Sequence, residues 1–170
     1  MADKEKVYCV NNFWDMTILE GVAQCNSENF FFESTYDGTD GDWMGSTYNL
    51  TLLDKKIFKI SLENWEYWKQ YLEDYYKGIK IIPHSLDYAK KRETMSMEEI
   101  ALEINKENNV MSLTEGKYTI KSAEKYYQNK TIIKNYLKNS KPIYRAKGTF
   151  YGDINCIKDT KVIWENVTKI

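Results

Sequence analysis

Residues 18–36, ILEGVAQCNSENFFFESTY, carry the strongest structural signal in the chain. Apolar, largely β-branched or aromatic residues fill both ends, and the residues between them, Asn26-Ser27-Glu28-Asn29, are polar and turn-favouring. The first kind of side chain fits a pleated, half-buried surface, and the second bonds readily to local backbone in turns. Ile18–Asn26 and Phe30–Tyr36 therefore read as the two strands of an antiparallel hairpin.

Beyond this hairpin the loop Asp37-Gly38-Thr39-Asp40-Gly41-Asp42 leads to Ser46–Leu53 and Ile57–Ile60. These read as a second hairpin turning through Asp54-Lys55-Lys56. Ser61, with Glu63 in the first turn, then reads as the N-cap of a helix that Gly78 closes. Leu62, Trp65, Trp68, Leu72, Tyr75 and Tyr76 share one face of that helix at three- and four-residue spacing, which predicts packing on a sheet, with Tyr67 off that face.

Ser96-Met97-Glu98-Glu99 has the form of a capping box, with Met95 and Ile100 placed as a hydrophobic staple, so a helix is expected from Met97 to about Asn108-Asn109. Another is expected from Lys121 to Lys138. Its lysines form two stripes, Lys117/Lys121/Lys125 and Lys130/Lys134/Lys138, on roughly opposite sides at 100° per residue, which predicts a break near Asn129. Ile143–Tyr151 and Val162–Val167 read as two closing strands. The expectation is a single α+β domain over residues 1–170. Its mostly antiparallel sheet is built from N- and C-terminal strands, with a packed Trp-rich helix and a helical, basic, insertion-like segment at 86–141.

The chain has 170 residues, 42% hydrophobic and 29% charged, with 14 Tyr, 6 Phe and 5 Trp against 8 Gly and 2 Pro. That composition excludes collagen-like and mostly disordered classes and supports a real core. No apolar run approaches the roughly 18 residues of a membrane span, and the charged start is unlike a secretory signal. A cytoplasmic protein without membrane association is expected. Its 22 Lys against 2 Arg is the bias of an AT-rich genome, such as that of a low-GC bacterium or its phage. Cys9, Cys25 and Cys156 have the spacing of neither a disulfide framework nor a zinc site and read as reduced, mostly buried thiols.

Charge is segregated along the chain. Residues 1–85 carry 8 basic and 14 acidic side chains, and residues 86–170 carry 16 basic and 11 acidic. From Val7 to Asp54 there are eight acids and no Lys or Arg, whereas Lys117–Lys147 holds nine cations and one acid, Glu124. Such a distribution steers partners of opposite charge.

The segments Ile18-Leu19-Glu20-Gly21-Val22-Ala23, Phe30-Phe31-Phe32-Glu33, Leu50-Thr51-Leu52 and Trp65-Glu66-Tyr67-Trp68, followed by Gly78 and His84, together resemble a family of small bacterial hypothetical proteins. In that family an N-terminal β-meander leads into a Trp-Glu-x-Trp helix. The resemblance covers residues 15–88 and implies a fold rather than an activity; here Ser85 follows His84 where the family has Pro.

No nucleophile elbow, P-loop, His-Glu-x-x-His or Cys-x-x-Cys occurs, and His84 is the sole histidine. The carboxylates of Asp37, Asp40 and Asp42 lack EF-hand spacing, so neither metal nor cofactor is expected. The leading expectation is a non-catalytic binding protein of the immunity or counter-defence kind. It would neutralise a basic protein partner or a small effector, with Asp37, Asp40, Asp42 and Trp43 as its contact residues. The alternative is binding of nucleic acid or nucleotide through the 117–147 segment, by Lys121, Lys125, Lys134, Lys138 and Arg145, with tyrosines interleaved for stacking. A small hydrolase using His84 and the 37–42 carboxylates is the second alternative. The Trp65/Trp68/Tyr71/Tyr75 stripe reads as core packing before it reads as a stacking platform.

Overall fold

A computed structural model describes residues 3–14, 17–35, 47–78, 94–96, 99, 102–103, 116–152 and 159–170, excluding the side chains of 12–14, 17 and 120. Among them are six strands, β1 (Lys4–Trp14), β2 (Thr17–Cys25), β3 (Glu28–Ser34), β4 (Thr47–Leu52), β5 (Tyr144–Tyr151) and β6 (Lys161–Lys169). Two long helices, α1 (Lys55–Tyr76) and α2 (Ile120–Lys138), lie between β4 and β5 in the chain. The fold is mixed α and β. All neighbouring strands are antiparallel, and β6 pairs with β1 to close the sheet into a barrel. The chain divides into two compact units, residues 1–59 with 135–170, and residues 60–134.

The first hairpin forms where the residues predict it, on a tighter turn. Asn26 and Ser27 have φ of 51° and 67°, so they make a two-residue turn with both residues left-handed. This geometry matches the twist of paired strands. The closing strands also form as expected and complete the sheet. β1, for which no expectation was formed, supplies the pairing that turns an open sheet into a barrel.

Inside the barrel, Val7, Phe30, Phe32, Tyr48, Leu50, Val162 and Trp164 are all buried. A side chain at Gly148 would place its Cβ 2.7 Å from the Trp164 ring, so the missing side chain makes room for the indole. Small barrels fill their interior in this way, by setting small residues against large ones.

Three expectations about α1 are corrected. Ile57–Ile60 is the first turn of α1 and not a strand, because Asp54 caps the helix: its Oδ1 accepts the Ile57 N–H at 2.8 Å. Ser61 is consequently a buried residue within the helix and not its cap. The face of α1 is also different. Tyr75 and Tyr76 are exposed, while Ile57, Ser61, Asn64 and Asp74 are buried. Within the unit of residues 60–134, Tyr67 and Tyr71 are set against Tyr118, Ala123 and Tyr127.

α2 is one continuous helix, so the break expected near Asn129 does not occur. Asn129 is 1% exposed, and its Nδ2 donates to Glu63 Oε1 at 3.0 Å. The lysine stripes therefore fall on two sides of a continuous rod. At the end of α1, Gly78 takes φ of 68° and its N–H donates to the Tyr75 carbonyl, the expected closure. Ser96 Oγ accepts the Glu99 N–H at 3.2 Å, the cap expected there.

Candidate binding surfaces

Aromatic rings occupy the barrel interior. Phe32, Tyr48, Phe150 and Trp164 meet with centroids between 5.4 and 6.1 Å apart. Their polar atoms are satisfied: Tyr48 donates to the Ile18 carbonyl at 2.6 Å, and Trp164 Nε1 donates to the Gln24 carbonyl at 2.9 Å. Cys9 and Cys25 are free and buried, and burial pushes their thiols up to about 12 and about 11. A thiol held protonated in this way is a poor nucleophile.

The outer face of the barrel carries two like-charge pairs of opposite sign. On β2 and β3, Glu20 stands directly across from Glu33, and Glu33 is exposed. The same row continues through Asn49 on β4 to Arg145 on β5, whose Nε donates to Asn49 Oδ1 at 3.1 Å. At the turn, Glu28 is exposed and Glu5 accepts the Asn26 N–H through both carboxylate oxygens, at 2.9 and 3.1 Å. On β1 and β6, Lys6 stands across from Lys161, and Lys161 in turn stands across from Tyr151 on β5. Lys4 Nζ lies 4.8 Å from the centre of the Tyr151 ring, and Lys6 Nζ lies 4.9 Å from that of Tyr8.

The unit formed by residues 60–134 has an aromatic ladder on α1. Trp68 stacks on Tyr71 at 5.6 Å, and Tyr71 on Tyr75 at 6.2 Å. The ladder runs out into solvent, with Tyr75 51% and Tyr76 79% exposed. The stripe read as core is thus core only in part. Beside it, the buried Asp74 carboxylate accepts the N–H groups of Lys117 and Tyr118 at 3.1 and 2.9 Å, which fixes the chain just before α2. Lys117 Nζ bonds the exposed Glu73, whose carboxyl is held below the usual range chiefly by that hydrogen bond.

Asp37, Asp40, Asp42, Trp43, His84 and Cys156 lie outside the described residues. Lys121, Lys125, Lys134 and Lys138 are exposed on α2, and Arg145 is exposed on β5. Sequence reasoning missed the Glu20–Glu33 pair although the signal was present. A two-residue turn at Asn26-Ser27 sets Cys25 opposite Glu28, and counting outward brings Glu20 opposite Glu33. A four-residue turn over Asn26-Ser27-Glu28-Asn29 places Glu20 opposite Thr35 instead. The Lys6–Lys161 pair joins residues from the two ends of the chain, and no local signal announces it.

Comparison of the chain with protein-family models, curated proteins and solved structures finds no match. Among the described residues, no helix is long and apolar enough to cross a membrane.

Proposed function

We propose that this is a non-catalytic binding protein of the immunity or counter-defence kind, which neutralises a basic protein partner through the acidic outer face of β2 and β3. The supporting observation is the Glu20–Glu33 pair. Two carboxylates set side by side on one row of the sheet attract a cationic group brought by a partner. The surrounding composition favours the same polarity, since residues 7–54 contain no Lys or Arg. Asp37, Asp40, Asp42 and Trp43, which follow β3 in the chain, remain the contact residues that the sequence suggests.

The reading is tested by capturing the partner from a bacterial host and measuring association with the wild type and with Glu20→Gln/Glu33→Gln. Rim charges act mainly on the association rate and its salt dependence. The variant is expected to associate at least about tenfold more slowly at low ionic strength and to show a flatter salt dependence, with its melting temperature unchanged or raised. An association rate equal to that of the wild type would remove this face from consideration.

A further inference from the structure

The basic patch on β1, β6 and β5 has no part in that reading. We infer that it is a binding site for single-stranded nucleic acid, built from Lys4, Lys6 and Lys161 with Tyr8 and Tyr151. Three features of the barrel's outer face carry the inference. First, Lys6, Lys161 and Tyr151 stand in one row across three adjacent strands. At a strand spacing of about 4.8 Å the row is roughly 10 Å long.

Second, the cations are not paired with carboxylates: among the described residues no ion pair holds Lys4, Lys6 or Lys161. The carboxylate nearest in sequence to both Lys4 and Lys6, Glu5, turns both oxygens to the Asn26 N–H and forms no ion pair with either lysine. Asp3 and Asp159 only flank the patch, ahead of β1 and β6 in the chain. Lys6 and Lys161 repel each other across the ladder, and an anion placed between them removes that repulsion.

Third, the cations are interleaved with rings. Lys4 lies over Tyr151 and Lys6 over Tyr8, while Tyr151 remains 42% exposed. Phosphate alone needs only the charges. Tyr8 is half-buried, with its ring edge-on to Phe58 at 4.9 Å, so Tyr151 is the ring open to a base. Lysines around an exposed ring match a ligand that alternates phosphates with flat bases. With lysines and no arginine in the patch, contact is expected to be tolerant of sequence, because Lys acts as a point charge and does not read base edges by a bidentate fork.

The test is fluorescence anisotropy of the full chain with a labelled short oligothymidine at rising salt. The wild type is expected to bind at about 50 mM salt, with a log–log slope near -2, from about -0.7 per phosphate and three lysines. Lys4→Gln/Lys6→Gln/Lys161→Gln is expected to lose at least about tenfold in affinity and most of the slope, with an unchanged circular dichroism spectrum and an equal or higher melting temperature. Tyr151→Ala is expected to weaken binding about fivefold or more while keeping the slope, which separates stacking from charge. Lys69→Gln/Lys77→Gln, in the unit of residues 60–134, is expected to leave binding as it is. The inference is overturned if the wild type does not bind, if the triple variant binds as the wild type does, or if polyglutamate displaces the strand as well as unlabelled oligothymidine.

Discussion

Asp54 redirects the chain from sheet to helix. Its carboxylate accepts the Ile57 N–H while its carbonyl accepts the Phe58 N–H at 2.9 Å, so the cap and the first helical bond come from one residue. The same Asp-Lys-Lys triplet reads naturally as a hairpin turn, because Asp favours turns and caps for the same reason: its short side chain bonds nearby N–H groups. The deciding factor is beyond local reach: the Tyr136 hydroxyl donates to the Leu52 carbonyl at 2.8 Å and accepts the Asp54 N–H, holding the chain at this corner. Single buried residues also set the response to alkali. Burial raises the Cys9 thiol from 9.0 to about 12 and the Cys25 thiol from 9.0 to about 11, and it raises the Tyr126 hydroxyl to about 12. Below pH 9 both folded and unfolded thiols are protonated, and the stability from burying them is complete. Above pH 9 the unfolded chain releases protons that the folded chain retains, so stability falls between pH 9 and about 12. Urea midpoints measured across that range are expected to decline, and Cys9→Ala is expected to decline less steeply, whatever its stability at neutral pH.

The two helices meet through polar groups as much as apolar ones. Asn129 donates to Glu63 Oε1, which also receives the Tyr67 hydroxyl at 3.4 Å, and Asn64 Nδ2 donates to the Tyr126 carbonyl at 3.2 Å. Asn129→Ala removes a buried donor and leaves the space it filled. The expected loss is about 1–3 kcal/mol, read as a lower urea midpoint at constant slope. Asn129→Asp is expected to be at least as damaging, since it sets a second carboxylate against Glu63. If both variants melt like the wild type, Asn129 does not hold the helices together. This contact also explains why the break was misread. Two lysine stripes out of phase resemble two helices, but charged residues occupy whatever surface remains after the inner face is chosen. That inner face, Ala123, Tyr127 and Asn129, includes a polar side chain that hydropathy does not mark as buried.

The barrel sets a pair of carboxylates side by side on β2 and β3 and a pair of ammonium groups on β1 and β6. The two ammonium groups repel each other across the ladder. Lys161→Gln is therefore expected to raise stability by roughly 0.2–1 kcal/mol at low ionic strength, and the gain is expected to shrink as salt screens the repulsion. A variant less stable than the wild type at low salt would show that Lys161 is engaged favourably within the fold. The hairpin of β2 and β3, the closing strands, the Gly78 stop and the Ser96 cap were all legible in the residues, because each rests on contacts a few positions apart or on runs of strand-forming side chains. The antiparallel α+β class followed from them. Closure of the sheet was not legible. It depends on β1, whose Lys4-Glu5-Lys6 start is too polar to announce a strand, pairing with β6 more than 150 residues away. Nor was the identity of the charged pairs that face each other, apart from the one set by a two-residue turn. Local sequence specifies which bonds a backbone segment makes with itself. Which distant segment satisfies the rest, and so which charges are brought side by side, is settled by burying the aromatic interior as a whole.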